Sequence, residues 1–563
     1  MLSRILQESI SDLFSKKKYN EIIIKIEEYS SQKDRPPGLS SIIGVCRMLN
    51  PFKSQSDLML ALNDFEDAYN KSKDPNLSIE ALCNFISICI GDFKKYIEQK
   101  HFLNAKKMFL KIEKEIGYNE KLYIHGVDLF NHFCDHNKLK FLLSSLIKND
   151  SKSKSIICSY GFFNNYGYDW KQEDYYKFSI KFKDYFETFA IKKPDQIDYK
   201  KNKKIKICFV SSDFLSHSLS YFTKALLGNL DKSFFETYGI YLGSNNDADP
   251  SNQEIVKAFD NWLNLSDQKN EKIIEIIQKE KIEILVDQMG LTQGNRIEIF
   301  NSRVSPLQVS WNAYCNTVGF DNIDYLIADK NLIYKNEEKY YSEKVLKLNN
   351  IWNSHSGLNF ERRFSDLPFK KNNFITFGSF NNFLKISDGV IKVWSSILKN
   401  IKKSKLILKS SYNYDTEIIL KKFEKYGVSS SVEILNRQDY IDLEDHLRLY
   451  ENIDIALDTF PYNGVTTSFE SLWSGVPVIS MKGFNFNSRC GESILINANL
   501  KNFLALSEDD YIKKTIFFSK NISILEKERK KIFNNILDTK LFNNKDFSKD
   551  FKEGILSVYN RNK

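Results

Sequence analysis

Three segments of the 563-residue chain carry side chains whose types and spacing could do chemistry. The richest is Asp458–Gly475, DTFPYNGVTTSFESLWSG, in which an apolar run, IDIALDTF, ends in a Pro/Asn/Gly turn and feeds a helix opening at Thr466 or Thr467. The free N–H groups and positive dipole end of such a helix favour a phosphate or diphosphate, and the threonine hydroxyls add donors there. Thr467 and Glu470 also have the Thr-x-x-Glu spacing of a capping box, so anion binding and plain capping both stand at this point. The second segment, Phe377–Asp388 (FGSFNNFLKISD), runs from a buried strand into an amide-rich loop with one lysine, Lys385. A lysine at the mouth of a parallel sheet can neutralise a leaving diphosphate; a solvated surface lysine is the plain alternative. The third, Val210–Ser220 (VSSDFLSHSLS), puts Asp213 and His217 in the loop after a strand. Histidine is the side chain suited to proton transfer near neutral pH.

Two patterns imitate metal sites. Asp247 and Asp249 have a DxD spacing but lie in a polar run, NNDADPSNQ, that reads as a turn. His132, Cys134 and His136 could set two imidazoles at i and i+4 on one helix, yet no further ligand accompanies them, and a partly buried helix surface is the better reading. No metal is expected.

The elements that must position these residues follow from periodicity. The first ~195 residues read as helices, with apolar residues three and four apart in stretches such as Leu58–Tyr69. They are expected to stack either as degenerate helix-pair (TPR-like) repeats or as a plain bundle. A polar run, IKKPDQIDYKKNKK, then leads into IKICFVSSDF at Ile205, and from there strands and helices alternate: FETYGIYLG, IEILVDQMG, PLQVSWNAY and DYLIADK as strands, EKIIEIIQKEK and NRIEIFNSR as helices. The pattern restarts after a loop near residues 362–371 with FITFGSF, KLILKSS, VEILN, IDIALDTF and PVISMKG as strands, and the last ~55 residues are helical. Alternation of this kind predicts two successive doubly wound parallel sheets with the ligand cleft outside the carboxyl ends of the strands. The expected domains are residues 1–200 (helical), 201–365 (first Rossmann-like domain) and 366–563 (second, with the terminal helices).

Composition narrows the function classes. Hydrophobic residues make up 42% and charged residues 27% of the chain, a globular balance. The net charge of +9 is spread without a Lys/Arg block, so nucleic acid is not expected as a partner. The eight cysteines form no CxxC pair, which argues against a zinc knuckle or a disulfide framework. Glu8 and Asp12 interrupt the place where a signal peptide needs an apolar run, and no stretch of 18 apolar residues occurs, so the expected location is cytoplasmic, without a membrane span.

Taken together and in order, VSSDFLSH, ILVDQMGLTQGNRIEIFNSRVSPLQVSWNAYCNTVG with DYLIAD, FGSFNNFLKIS, and ALDTFPYNGVTTSFESLWSGVPVISMKGFNFNSRCGES resemble the catalytic region of the O-GlcNAc transferase/SPINDLY family over roughly residues 203 to 515. The resemblance implies a GT-B fold (paired Rossmann-like domains behind an all-α N-terminal domain) and an inverting, metal-independent transfer of N-acetylglucosamine from UDP-GlcNAc to Ser/Thr of an acceptor protein. The nucleotide sugar is a co-substrate and no cofactor is implied. It further implies that Lys385 contacts the donor diphosphate and that Thr466 and Thr467 hold the phosphates. Glu470 falls where an acidic residue binds the ribose, and His446 where a histidine packs beside the base. His217 matches the active-site histidine and is the first choice for the proton acceptor, with Asp213 and Asp287 as alternatives. Asn382 and Arg489 are further donor contacts. Bacterial relatives act on flagellins or surface adhesins, and an oligomer is compatible with the family. Two positions depart from the pattern: Val465 replaces a histidine that precedes the paired threonines in animal members, and Leu291 stands where relatives often carry Tyr or His. They put the donor in question, so GDP-fucose to Ser/Thr, UDP-glucose to Asn, and a non-catalytic interaction protein with a decayed core stay open beside the main reading.

Overall fold

A computed structural model describes residues 4–91, 94–189, 204–215, 217–243, 250–409, 416–435 and 443–559. These form two compact units, one built on Met1–Ser151 and one holding nearly all of residues 152–563. Asp247 and Asp249 lie outside the described residues, as does most of the polar run before Ile205.

The first unit is helical from Arg4–Ser15 to His136–Lys148, and each helix packs on the next. Their starts are coded locally. Ser54 and Asp57 form a reciprocal capping box, and Asp74 caps a helix that has Pro75 in its first turn. The His132/His136 pattern does not share one helix face. One helix ends at His132, Asp135 caps the next, and His136 is that helix's first residue. The His132 ring stacks on Phe102 at 3.7 Å, and burial, helped by Lys94, pushes its pKa down to about 4. Among the described residues no cluster of His, Cys, Asp or Glu is arranged to hold a metal ion.

The second unit opens with helices Lys154–Phe163 and Gln172–Phe182, then builds two all-parallel sheets. Strands β1 (Ile205–Ser211), β2 (Phe235–Tyr241), β3 (Asn261–Asn264), β4 (Ile284–Asp287), β5 (Leu307–Ser310), β6 (Tyr325–Asp329) and β7 (Lys344–Leu348) run in the order 3-2-1-4-5-6-7. Strands β8 (Ile375–Ser379), β9 (Ser404–Lys409), β10 (Val432–Leu435), β11 (Ile455–Leu457), β12 (Val478–Met481) and β13 (Leu504–Ala505) run 10-9-8-11-12-13. Parallel pairing is in direct register, for example Cys208 opposite Tyr238 and opposite Leu285. The central strands are buried on both sides, as a sheet covered by helices requires. In each sheet the strand order reverses once, between β1 and β4 and between β8 and β11, and the loops leaving those four strands are the topological switch points where ligands bind in open α/β sheets.

The terminal helix departs from the expected domain plan. Helix Asn544–Tyr559 belongs by sequence to the second half, yet it packs on the first sheet: Phe547, Phe551, Ile555, Val558 and Tyr559 share one buried cluster with Phe209, Trp311 and Leu348. Polar contacts fix it there, with Ser548 donating to the Leu226 carbonyl at 3.0 Å, Lys552 paired with Asp231 at 2.6 Å and Tyr559 donating to Glu283 at 3.0 Å. Its apolar stripe matches the first sheet, which lacks a covering helix after β7. No described helix is long and apolar enough to cross a membrane.

Candidate active site

At the second sheet's switch point, β11 is followed directly by a buried aspartate, Asp458. The Asp458 carboxylate accepts the N–H groups of Thr459 (2.8 Å) and Gly464 (2.6 Å) and the Ser480 hydroxyl (2.5 Å), folding the chain after the strand into a tight turn. Gly464 is obligatory there, because a Cβ would lie 2.4 Å from the Thr467 hydroxyl and 2.7 Å from the Asn381 amide oxygen. Burial raises the Asp458 pKa to about 6 against the pull of the Ser480 and Gly464 hydrogen bonds and the Lys385 charge.

The turn delivers the chain into helix Thr466–Trp473. Its N-cap is Val465, which offers no side-chain cap, so the capping box expected as the plain alternative does not form. Thr467 instead donates across the switch point to the Asn381 side chain in the loop after β8 (3.0 Å), and Glu470 turns to other partners. The helix therefore presents an N-terminus without a side-chain cap, with the partial positive charge that attracts an anion. Lys385, half-buried, reaches the same place from β8: its ammonium donates to the Asn463 carbonyl at 2.9 Å and lies 4.0 Å from the Tyr462 ring centroid. Burial lowers its pKa below the ordinary lysine value, and the Asp458 carboxylate works the other way.

A second set of groups sits one turn along that helix. Glu470, buried, accepts the Tyr450 hydroxyl at 3.1 Å and lies 3.4 Å from His446 Nε2, while Lys409 at the end of β9 lies 2.5 Å from His446 Nδ1. Burial tends to raise the Glu470 pKa, but hydrogen bonding and charge from His446, with the charge of Lys409, bring it below the ordinary value. A buried carboxylate held ionised beside an imidazole is suited to accept hydrogen bonds from sugar hydroxyls.

At the first switch point, Asp213 and His217 lie in the loop after β1. His217 is exposed and caps helix Ser218–Leu227, its Nδ1 accepting the Leu219 N–H at 3.3 Å. Burial raises the Asp213 pKa and the neighbouring His217 lowers it. Asp287 ends β4 fully buried, and its oxygens accept from Met289 N–H (2.9 Å), Gly290 N–H (3.1 Å) and the Ser310 hydroxyl (3.4 Å), with its pKa raised by burial to about 6. Asp287 thus organises the turn that leads to buried Leu291.

The remaining two candidates are engaged elsewhere. Asn382 caps the short turn Phe383–Lys385 by accepting the Leu384 N–H at 2.9 Å. Arg489 is 4% exposed and forms a two-pronged pair with Glu337 (2.6 and 2.7 Å), while two further N–H groups go to the Gly483 and Leu332 carbonyls and its plane covers Tyr334 at 3.9 Å. It is a brace between the two halves of the unit. The residues that sequence reading passed over are Asp458, Asn381, Lys409, Tyr450 and Tyr462; an aspartate closing a strand ahead of a Pro/Asn/Gly turn is the one signal that could have flagged the first.

Two all-parallel, doubly wound sheets in one unit, with the candidate groups gathered at both switch points, define a GT-B type glycosyltransferase fold. The chain belongs to glycosyl transferase family 41, whose model matches residues 184–355 and 361–551. It is 29% identical over 369 residues to the tomato (Solanum lycopersicum) protein named "Probable UDP-N-acetylglucosamine--peptide N-acetylglucosaminyltransferase SPINDLY", an alignment covering 64% of this chain and 39% of that one. The UDP-N-acetylglucosamine–peptide N-acetylglucosaminyltransferase of Caenorhabditis elegans is 22% identical over 485 residues, covering 65% of this chain and 42% of its own. The chain thus spans about two fifths of the length of these curated relatives. Among solved structures, a mutant of the O-GlcNAc transferase of Thermobaculum terrenum shares the fold, with a TM-score of 0.77 and 19% identity over 90% of this chain and 95% of that one.

Proposed function

We propose that this chain is a cytoplasmic protein glycosyltransferase that moves N-acetylglucosamine from UDP-N-acetylglucosamine onto Ser or Thr hydroxyls of an acceptor protein, with inversion and without a metal ion. The observation that carries the reading is that Lys385 donates to the Asn463 carbonyl, two residues before Val465, at the N-terminus of helix Thr466–Trp473, which has no side-chain cap. The names of the relatives supply the sugar and the acceptor class. In the proposed step the acceptor oxygen bonds to the anomeric carbon as the bond to the diphosphate breaks on the opposite side. Lys385, Thr466, Thr467 and the helix end take up the charge that develops on the leaving group, a preorganised arrangement that needs no reorganisation during reaction. Glu470 and His446 hold the ribose and base.

The hydroxyl proton goes to Asp213 in this reading. A neutral imidazole whose Nδ1 accepts a backbone N–H carries its own proton on Nε2, which makes His217 a donor toward substrate. Asp213 has the raised pKa that suits a base, whereas the oxygens of Asp287 are taken up by its own turn. Because Val465 stands where animal members carry a histidine, GDP-fucose is included in the test as a second donor.

A thermal-shift series with UDP, UDP-N-acetylglucosamine, UDP-glucose, GDP and GDP-fucose, run with EDTA, decides among them. Ligand at 100 times its dissociation constant adds about 2.7 kcal/mol of stability. Stabilisation by UDP and its N-acetylglucosamine ester, lost in Lys385→Ala, is the expected result. A preference for GDP transfers the donor to fucose, and no shift with any nucleotide sinks the transferase reading.

A further inference from the structure

The helical segment ahead of β1 was expected to belong with the N-terminal domain, yet it is built into the second unit and borders the lysine. Polar contacts pin it to loops of the first sheet: Lys154 to Glu298 (2.5 Å) and to the Asn295 carbonyl (3.0 Å), Gln172 to Asn316 (2.8 Å), Ser179 to the Thr317 carbonyl (3.3 Å) and Lys183 to Asp321 (2.7 Å). Toward the second sheet it offers aromatic rings. Tyr166, 9% exposed, stacks on Tyr462 with centroids 5.5 Å apart and planes 27° apart, and Phe162 lies 5.8 Å from the same ring. Tyr462 is also the ring over which the Lys385 ammonium sits, and Asn463, its neighbour in sequence, supplies the carbonyl to which that ammonium donates.

We propose that Tyr166, backed by Phe162, is a positioning residue for the diphosphate site: it fixes the Tyr462 ring, and the ring fixes Lys385. Lysine is a flexible four-carbon stem ending in a compact charge, so its placement depends on what confines the ammonium. Here the confinement comes from one carbonyl and one aromatic face, and both belong to the turn that Tyr166 stacks against. The first sheet, through the segment bolted to it, thereby sets the position of a lysine carried by the second. The proposal rests on the nucleotide-sugar reading above.

Calorimetric titration of the full chain with UDP (or GDP, should the parent prefer it) tests it in five proteins: the parent, Tyr166→Phe, Tyr166→Leu, Lys385→Ala and the Tyr166→Leu/Lys385→Ala pair. Tyr166→Phe keeps the stacked ring and should bind within about twofold of the parent, whereas Tyr166→Leu should bind on the order of tenfold more weakly. Because Tyr166 acts through the lysine, Tyr166→Leu should change affinity by less than about twofold once Lys385 is gone. The same tenfold loss in both backgrounds, or no loss in Tyr166→Leu, overturns the positioning role and leaves the transferase reading intact. A parent that binds neither nucleotide removes both. Should Tyr166→Leu melt below the working temperature, Phe162→Leu, which bears on the same ring, takes its place in the cycle with the same expectations.

Discussion

Asp458 acts as a template: three donors from two parts of the chain converge on one carboxylate, and the turn ahead of helix Thr466–Trp473 takes its shape from them. In Asp458→Ala the buried Thr459 and Gly464 N–H groups lose the oxygen to which both donate. Leaving a buried group unsatisfied costs about 1–3 kcal/mol, so chemical denaturation should show a loss of that size, and UDP affinity should fall with it. Unchanged stability would mean the turn holds its shape without the carboxylate. Lys385, Thr467, Glu470 and His446 could be singled out in the sequence by type, spacing and family resemblance, and the structure gathers them around helix Thr466–Trp473. Asp458, Lys409 and Tyr450 could not be singled out, because what gives each its meaning lies far along the chain. Ser480 is 22 residues from Asp458, and Lys409 is 37 from His446. A spacing rule inside one helix sees neither. It also misleads where a tertiary partner competes, as when Asn381 takes the Thr467 hydroxyl away from the capping box.

Among the elements, the strands that alternate with helices were legible because runs such as ICFV and ILVD are buried on both sides and contain little else. Strands β3 and β13 carried no such signal: the first is a half-exposed edge of four residues, NWLN, and the second is two residues long. Helix Asn544–Tyr559 is the instructive case. Its amphipathic pattern announces a helix, but a stripe of Phe, Ile and Val cannot say which sheet it will cover. Phe551 is fully buried 5.3 Å from Trp311, under the first sheet. Phe551→Ala should cost about 3–5 kcal/mol, the usual range for emptying such a site. Hydrogen exchange should show β1, β4 and β5 loosened more than β8 and β11; equal loosening of both sheets would place the helix's contribution elsewhere.

At the scale of the whole molecule, the two sheets are joined around one buried histidine. His355 is 1% exposed and packed among Tyr221, Phe222, Phe469 and Phe542, with Nδ1 accepting the Gly357 N–H at 3.1 Å. Burial pushes its pKa down to about 3, with Glu470 pulling upward and Lys224 adding to the fall. Above pH 6.5 folded and unfolded chains both keep the ring neutral. As the pH drops below that value, the unfolded chain takes up a proton that the folded one refuses, and stability is lost at about 1.4 kcal/mol per unit. His355→Phe removes this loss, so between pH 7 and pH 5 its stability relative to the parent should improve by about 2 kcal/mol. Asp287, Asp329 and Asp458, raised to about 6 by burial, add stability as the pH falls through the same window, but they are common to both proteins and cancel in the difference. Parallel pH curves would show that the ring accommodates its proton in the folded state. The terminal helix has one more consequence, in the order of events during synthesis. The strands of the first sheet are complete at Leu348, yet the helix that covers them emerges about 200 residues later, a wait on the order of 10 to 40 s at ordinary elongation rates. Throughout that interval the first sheet leaves the ribosome with an apolar side uncovered, and a chain stalled before residue 544 should be a client for chaperones.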